Sequence, residues 1–422
     1  MSFRTLGVIQ ALLWMVVIAL FGRPLWAQSP DRVSLADRIV TATKIYHQIS
    51  TYFPDLQRKE FDQTYETYIH SVLSGSDDRR EFDLTTMALV ASLHDGHTWF
   101  YDNWLDKNYG QASGFTVYPL AGKWVVMQSQ LGSVKKGDII EAIDGTPTQQ
   151  YFELSKKYIS ASSDRDAGIS LFDTPALLPL RFNMTLDGGR QVTVDRPHDK
   201  KEVIAMETEG RWLVPGKVAY IKVPIFHGIE TQAAALQYLK QFKDAGAVIL
   251  DVRGNQGGGS GAPLESSLME KPYPMWSESS SMQGGMILRG YDMGPMVSPE
   301  MTHVTSSEGT LRPQGAYTGK LLLLIDRGCT CACEDFVMAF KVTKRAELVG
   351  ETTAGTFSFT SHTQFENGMI TNISAVRHTF PDGSRFEGVG IAPDVEVPVT
   401  AQDLKTGKDM VLEKALEFAR QN

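Results

Sequence analysis

Cysteine is scarce in this sequence. The 422 residues include only three, and all of them lie in the short stretch from Cys329 to Cys333. An odd number of cysteines this crowded does not make the disulfide framework of a small secreted domain, because disulfides between such close neighbours are usually strained. We therefore expect no disulfide framework here, and the chain has ample length for an apolar core.

The sequence after residue 27 also lacks long apolar runs and runs of basic residues. After the first 27 residues no apolar segment approaches the length of a membrane-spanning helix. The formal net charge is -8, and the sequence contains no run of lysines and arginines. This balance gives no support for nucleic-acid binding. The glycine-rich stretch from Arg253 to Gly259 lacks the glycine spacing and the following lysine of a P-loop. The sequence therefore argues against nucleic acid as a partner, and it predicts no cofactor.

Residues 1–27 have the pattern of a signal peptide. Arg4 precedes a nearly unbroken apolar run over residues 6–22, and Ala27 is a small residue that suits signal peptidase, with cleavage expected before Gln28. The alternative is an uncleaved membrane anchor, but the apolar run is barely long enough to span a bilayer. We therefore expect an exported protein, periplasmic or secreted.

The cysteine stretch lies between a strand pattern and a helix pattern. Residues 320–326 form a mostly apolar run of strand length, and residues 334–341 carry apolar residues at helical spacing. A residue in the turn between them would lie near the unpaired N–H groups of a helix N-terminus. Such N–H groups lower a thiol pKa and can donate to an oxyanion. The pattern therefore predicts that Cys331 is a nucleophile.

Two other interpretations of the cysteines stay open at this point. Buried cysteine often behaves as a small hydrophobic residue, so the three could simply pack the turn. A Cys-x-Cys-x-Cys run could also hold a soft metal ion. In either case Cys331 would have no catalytic role.

The rest of the chain divides into three regions and one insertion. Helical periodicity predicts an N-terminal helical region over residues 28–112, and strand patterns with Asp-Gly turns predict a β-domain over residues 113–197. Alternating strands and helices over residues 203–422 predict an α/β layer fold. Residues 264–316 are polar with little periodicity, which predicts a long insertion or lid. The fold class is therefore multi-domain α/β.

His97 follows the end of a predicted helix, in the sequence Asp95-Gly96-His97-Thr98. The chain has nine histidines, and any single one is more often a hydrogen-bonded bystander than a catalyst. His97 becomes a candidate because a cysteine nucleophile needs a base that is remote in sequence but near in space.

Three stretches in this order resemble the tail-specific, or C-terminal-processing, peptidases and the tricorn protease core. They are residues 251–259, 331–334 and 387–394, and the resemblance covers nearly all of the chain after its first 27 residues. It implies an α/β catalytic core of the crotonase/ClpP-like type. The β-domain at residues 113–197 also resembles a PDZ domain, a module that binds an extended peptide as an added strand and often captures its C-terminal carboxylate.

The resemblance implies roles for single residues. The family's serine nucleophile matches Cys331, the histidine base of tricorn-like members matches His97, and a glutamate of their tetrad matches Glu387. Tricorn has a serine before the histidine where this chain has Gly96, and other members have a catalytic lysine where it has Thr356. The resemblance therefore implies a cysteine and histidine mechanism without a lysine.

The sequence thus predicts an exported endopeptidase or carboxyl-terminal-processing peptidase that acts on peptides or on protein C-terminal segments. Cys331 would attack the peptide carbonyl with His97 as general base. The backbone N–H groups of Ala332 and of Gly258 or Gly257 would stabilise the oxyanion. No metal is expected at this site. The alternative is a catalytically inactive peptide-binding protein on the same scaffold.

Overall fold

The computed structural model describes residues 31–54, 56–196, 207–226, 228–281, 302–308 and 316–421. The predicted signal peptide at residues 1–27 lies outside the described residues, as does most of the predicted insertion. In the part of the chain that the structure describes, no helix has both the length and the apolar character needed to cross a membrane.

Three helices begin the described chain: α1 (Leu35–Tyr52), α2 (Arg58–Ser74) and α3 (Arg79–Ala91). The side chains of Ser34 and Asp78 cap α1 and α3 by accepting backbone N–H groups of the first turn. The apolar faces of the three helices meet in one buried cluster. The loop after α3 contains His97, so this cluster supports the position of the candidate base.

The sequence predicted a helical N-terminal region, but in the structure this region also contains a strand. Strand β1 (Trp99–Asp102) pairs antiparallel with a strand near the far end of the chain, Met369–Ser374, and is followed by α4 (Asn103–Tyr109). Residues this distant in sequence leave no local pattern of their pairing. The pairing ties the His97 loop to the C-terminal part of the chain.

The second region is a six-stranded sheet with its own apolar core. Its strands are β2 (Phe115–Leu120), β3 (Lys123–Ser129), β4 (Ile139–Ile143), β5 (Thr146–Pro147), β6 (Arg181–Leu186) and β7 (Arg190–Asp195). The strand order is β2-β3-β4-β6-β7, so β2 lies at one edge, with β5 paired to β4. Helices α5 (Thr148–Ser155) and α6 (Asp164–Asp173), which the sequence analysis did not predict, cover the sheet, and α6 packs beside β2.

The third region is built on a second six-stranded sheet. Its strands are β8 (Glu209–Val214), β9 (Val218–Lys222), β10 (Ala247–Asp251), β13 (Lys320–Ile325), β14 (Glu347–Gly350) and β18 (Val395–Glu396). All are parallel except β8, and the order is β18-β14-β13-β10-β9-β8. Because parallel strands end at the same edge of a sheet, the loops after β10 and β13 lie side by side.

Helices cover both faces of this parallel sheet. They are α7 (Gly228–Gln241), α8 (Ala262–Ser266), α9 (Ala332–Thr343), α10 (Ala401–Thr406) and α11 (Met410–Arg420). Phe336 and Phe340 of α9 pack in the cluster on one face, and Val411 and Ala415 of α11 pack on the other. Burial on both faces explains why β10 and β13 are nearly continuous apolar runs. The predicted α/β class is confirmed.

Two smaller antiparallel sheets complete the fold. Strand β16 (Met369–Ser374) joins β1 to β15 (Thr360–Gln364), and β11 (Pro274–Ser281) lies between β12 (Thr302–Glu308) and β17 (Arg377–Thr379). Residues 264–316 were predicted only as a long insertion or lid, and strands β11 and β12 within this region were not predicted. Their pairing comes from backbone hydrogen bonds, which a serine-rich sequence allows without an apolar alternation.

Candidate active site

The turn after β13 holds Cys331 in an unusual backbone conformation. Its φ of 56° is in a region that few non-glycine residues adopt, and α9 begins at the next residue. The N–H of Cys331 donates to the carbonyl of Thr356 at 2.9 Å, and its own carbonyl accepts from the N–H of Glu334 at 2.8 Å. Bonds on both sides fix the turn. The backbone N–H groups of Ala332 and Gly258 lie at the Cys331 sulfur, where they lower the pKa of its thiol.

The other two cysteines form a disulfide, Cys329–Cys333, and Cys331 is a free thiol. The sequence analysis argued against a disulfide framework and did not predict this pair. The turn into α9 brings the two Cα atoms to 5.5 Å, within the range that a disulfide spans. The metal interpretation is wrong, since two of the three sulfurs are bonded to each other. Among the described residues no cluster of three or more His, Cys, Asp or Glu side chains could hold a metal ion.

The environment of Cys331 raises the pKa of its thiol instead of lowering it. Burial is the main cause; the N–H groups of Ala332 and Gly258 oppose it, and the carboxylates of Glu334 and Asp335 add to it. The predicted low thiol pKa is wrong because the pattern of a helix N-terminus does not reveal burial or the two acidic residues of the first turn. A thiol in this state needs a base before it can attack.

The two glycines considered as oxyanion donors differ in the structure. The N–H of Gly257 donates to the side-chain oxygen of Asn255 at 2.8 Å, so it is not available to a ligand. A Cβ atom at Gly257 would come within 2.9 Å of the Cys331 Cβ, so this glycine instead allows the close approach of the two loops. Of the two, only Gly258 stays a candidate donor, beside Ala332.

Cys331 and His97 line the same cavity, which has a volume of about 750 Å³. Gly258 and Ala332 line it too. Gly259 and Thr360 also line the cavity. The rest of its wall consists of apolar residues, serines and two acidic residues, which are Phe357, Phe359, Val376, Ser260, Ser280, Ser358, Glu278 and Asp335. A nucleophile, a base and two backbone donors therefore share one opening large enough for a peptide segment.

His97 is held on three sides. Its Nδ1 atom lies 3.0 Å from the hydroxyl oxygen of Thr356, its carbonyl accepts from the Asn372 side chain at 2.8 Å, and its N–H donates to the Asp95 carboxylate at 3.0 Å. Burial lowers the pKa of His97, the Asp95 carboxylate opposes this, and His378 adds to it. The imidazole is therefore neutral near pH 7, the form that can accept a proton.

Glu387 supports the histidine loop indirectly. The hydroxyl of Ser162 donates to the Glu387 carboxylate and accepts the N–H of Gly96 at 2.9 Å. The Arg377 guanidinium lies 3.6 Å from Asp95 and 3.9 Å from Glu387. Burial and the nearby Asp95 charge raise the pKa of Glu387 to about 8, against the opposing effects of Ser162 and Arg377. Glu387 thus contacts the residue before His97 through Ser162, and its hydrogen bond does not go to the imidazole.

Two residues of this site had no role in the sequence analysis. The sequence analysis mentioned Thr356 only because some related peptidases have a catalytic lysine at that position. Its location in the loop after a predicted strand was the one signal that could have marked it. Ser162 lies just before α6, in a segment without a predicted structure, and no local signal marked it. Both act through contacts between segments that are far apart in the chain.

Comparison with known proteins gives a consistent result. Residues 217–397 match the model of peptidase family S41. A carboxyl-terminal-processing protease from Synechocystis sp. is 24% identical over 314 residues, which are 71% of this chain and 63% of that protein. The chain thus covers less than two thirds of that relative's length. The matched region contains Cys331 and Glu387 but not His97.

Two solved structures share the fold. The crystal structure of mature CPAF aligns with a TM-score of 0.69 and 14% identity, covering 92% of this chain and 97% of that one. The photosystem II D1 C-terminal processing protease aligns with a TM-score of 0.52 and 18% identity, covering 86% of this chain and 94% of that one. At these identities the likeness concerns the fold alone.

Proposed function

We propose that the protein is a peptidase that processes carboxyl-terminal segments through Cys331, which lies within the residues 217–397 that match the model of peptidase family S41. The observation that carries the proposal is the convergence of three groups on one cavity. A free thiol, a neutral imidazole and two backbone donors at the sulfur meet there, and they come from separate parts of the chain.

The first half of the reaction is an acyl transfer to sulfur. His97 takes the thiol proton as Cys331 attacks the carbonyl carbon, and the N–H groups of Ala332 and Gly258 stabilise the oxyanion. His97 then gives the proton to the leaving nitrogen, the C–N bond breaks, and a thioester with Cys331 remains. Because the thiol pKa is raised, His97 is required in this step and does not merely accelerate it.

The second half regenerates the thiol. His97 removes a proton from water, and the resulting hydroxide attacks the thioester carbonyl. The same two N–H groups stabilise the second oxyanion. Collapse of this intermediate breaks the C–S bond as His97 gives its proton to sulfur, and the peptide leaves as a carboxylic acid that loses its proton to solvent.

The β2 to β7 sheet is the proposed peptide-holding module, similar to a PDZ domain. Strand β2 lies at the edge of this sheet beside α6, next to a cavity of about 300 Å³ that is lined by residues 112–116 and 128–130 and by the α6 end. An extended C-terminal segment would add to β2 as a further strand. Arg327 connects the sheet to the catalytic turn: it donates to the Pro119 carbonyl at 2.7 Å and pairs with Glu351 at 2.6 Å.

Export is part of the proposal. It is supported by the signal pattern of residues 1–27 and by the Cys329–Cys333 disulfide, which suits an oxidising compartment. Sequencing the N-terminus of the protein recovered from expressing cells tests it. A chain that begins at Gln28 is expected, and a chain that still begins at Met1 inside the cell would contradict it.

The catalytic proposal is tested with a library of peptides that differ at their C-termini. Cleavage by the wild-type protein is followed by mass spectrometry and compared with Cys331→Ala and His97→Ala. We expect either variant to lose at least 10³-fold in kcat/KM, on the order of what the loss of a nucleophile or its base costs an acyl-transfer enzyme.

His70→Ala is the matched control, since His70 is an exposed histidine on α2. It should cleave at the wild-type rate. Cleavage that persists in both site variants would overturn the assignment of Cys331 and His97. Binding of C-terminal peptides without any cleavage would instead support the inactive peptide-binding alternative.

A further inference from the structure

Thr356 contacts both halves of the proposed catalytic pair. Its hydroxyl oxygen lies 3.0 Å from Nδ1 of His97, and its backbone carbonyl accepts the N–H of Cys331 at 2.9 Å. Its own N–H donates to the buried carboxylate of Glu334 at 2.8 Å. Thr356 as a whole residue is 5% exposed, so water does not compete freely for these bonds.

The contact at Nδ1 decides which nitrogen of His97 is left for the thiol. With Nδ1 occupied by Thr356, Nε2 is the nitrogen that remains for Cys331. A neutral imidazole carries one proton, and Nε2 can act as a base only if that proton is on Nδ1. In that tautomer the Nδ1–H group donates and the threonine hydroxyl accepts.

The same hydrogen bond persists when His97 takes up a proton. Both nitrogens of an imidazolium are donors, so the hydroxyl of Thr356 can only accept from it. A hydrogen bond from a charged donor is stronger than one from a neutral donor. The hydrogen bond between His97 and Thr356 is therefore stronger after His97 has taken up the thiol proton than before.

The surroundings of Thr356 hold its hydroxyl in this position. The Glu334 carboxylate, in the first turn of α9, also accepts from the N–H of Gly355 at 2.7 Å and from the hydroxyl of Thr353 at 2.5 Å. On the other side, a Cβ atom at Gly96 would come within 2.5 Å of the Thr356 hydroxyl oxygen. The absence of a side chain at residue 96 therefore makes room for the threonine.

We propose that Thr356 is a positioning residue that selects the Nδ1–H tautomer of His97, directs Nε2 toward Cys331 and stabilises the imidazolium formed during proton transfer. This inference rests on the proposed peptidase function, because it gives Thr356 a task in that reaction. It adds a residue to which neither the family resemblance nor the sequence pattern assigned a role.

Two variants test the inference. Thr356→Val keeps the branched shape and the backbone bonds but removes the acceptor, whereas Thr356→Ser keeps the hydroxyl. We expect Thr356→Val to lower kcat by about 10- to 100-fold with little change in KM, within the range that proton-transfer catalysis supplies, and Thr356→Ser to stay within about threefold of wild type. Thr352→Val is the matched control, since Thr352 is in the same loop but does not line the cavity.

Two further measurements do not depend on turnover. In ¹⁵N-histidine-labelled protein, the His97 signals, assigned by their loss in His97→Ala, should show a proton on Nδ1 in wild type and in Thr356→Ser. In Thr356→Val they should shift toward the Nε2–H form. The rate of Cys331 alkylation by iodoacetamide at pH 7 should fall in Thr356→Val and not in Thr352→Val.

The outcomes separate the inference from the proposed function. If wild type cleaves nothing but the tautomer still changes in Thr356→Val, the peptidase proposal fails and the positioning role of Thr356 stands. If cleavage depends on Cys331 and His97 but Thr356→Val keeps the wild-type kcat, alkylation rate and tautomer, the inference is overturned and the proposed function stands.

Discussion

The two sides of the candidate site are built in different ways. The nucleophile side is one continuous segment: β13, the cysteine turn and the start of α9 follow each other in the chain. The base side is a short loop between α3 and β1 whose hydrogen bonds go to residues far away in sequence. The first is fixed mainly by local structure, and the second mainly by tertiary contacts.

The nucleophile side is locked by covalent and local bonds. The Cys329–Cys333 disulfide spans the turn, and the first turn of α9 contributes Glu334, whose N–H donates to Cys331. The apolar face of α9 packs in the largest buried cluster. This side can hold Cys331 at a strained φ because its surroundings leave little room for relaxation.

The base side depends on single hydrogen bonds to three other segments, which are β16, the loop of Thr356 and the segment of Ser162. Thr98 accepts the N–H of Ser374 at 3.0 Å, Asp95 accepts the Ser374 hydroxyl at 2.5 Å, and Asn372 donates to the His97 carbonyl. Each such bond contributes about 1 kcal/mol. We therefore expect Cys331 to keep its position when a single neighbouring side chain is substituted. We expect His97 to be displaced by substitutions that hardly change the stability of the fold.

The largest effect is expected where the two sides meet, at Glu334. Its buried carboxylate accepts bonds from Thr353, Gly355 and Thr356, so Glu334→Ala leaves three buried donors without an acceptor. We expect the free energy of unfolding to fall by about 3–5 kcal/mol, since each unsatisfied buried polar group costs about 1–3 kcal/mol. Urea denaturation measures it as a lower midpoint.

Glu366→Ala is the matched control because Glu366 is exposed in the loop between β15 and β16. It should change the unfolding free energy by less than about 0.5 kcal/mol. A loss below about 1 kcal/mol in Glu334→Ala would mean that Glu334 does not hold the loop that carries Thr356.

The next effect concerns the disulfide on the nucleophile side. Replacing both Cys329 and Cys333 by serine removes a closed loop of five residues, for which the chain-entropy relation gives about 2 kcal/mol of unfolding free energy. Denaturation of wild type with reductant should reproduce the loss, and reductant should leave the double variant unchanged. Identical midpoints for oxidised and fully reduced wild type would show that the turn is held without the covalent bond.

The difference between the two sides also explains what the sequence could predict. The strand run before Cys331 and the helical spacing after it are local patterns, so the turn and its nucleophile candidate could be identified directly. Burial is not a local property, and for that reason the direction of the thiol pKa shift was mispredicted. The disulfide was missed because the spacing rule does not consider how a turn into a helix brings Cys329 and Cys333 together.

On the base side the sequence could supply only the candidate itself. His97 was selected because a nucleophile needs a base, but Thr356, Ser162 and Asn372 come from segments that no local pattern connects to it. The pairing of β1 with β16 was missed for the same reason. The helices of the N-terminal region and the strands of the parallel sheet were predictable, because both depend on local apolar periodicity.

A smaller effect is expected on the base side, at Ser162. Ser162→Ala leaves the Gly96 N–H without its acceptor and the Glu387 carboxyl without its donor. We expect a loss of about 1–2 kcal/mol in unfolding free energy together with a clear fall in kcat, because the loop that carries His97 loses a fixed point. Ser160→Ala, two residues upstream, is the control and should behave as wild type. Unchanged stability and turnover in Ser162→Ala would show that Glu387 supports the loop by another route.

The last effect is the contribution of Glu387 to the pH dependence of stability. Burial raises the pKa of its carboxyl from 4.5 to about 8 in the folded protein, so folding favours the protonated form. The stabilisation is complete below about pH 4.5 and is lost as the pH rises through about 8. Glu387→Gln cannot ionise, so between pH 5 and 8 wild type should lose about 3 kcal/mol of unfolding free energy relative to this variant, since each unit of pH between the two pKa values is worth about 1.4 kcal/mol. Urea denaturation across that interval measures the difference, with Glu366→Gln expected to parallel wild type.

The opposite outcome is that the unfolding free energies of wild type and Glu387→Gln change in parallel with pH. This would mean that Glu387 is ionised in the folded protein. The base side would then hold a charged carboxylate paired with Arg377 in place of a protonated carboxyl.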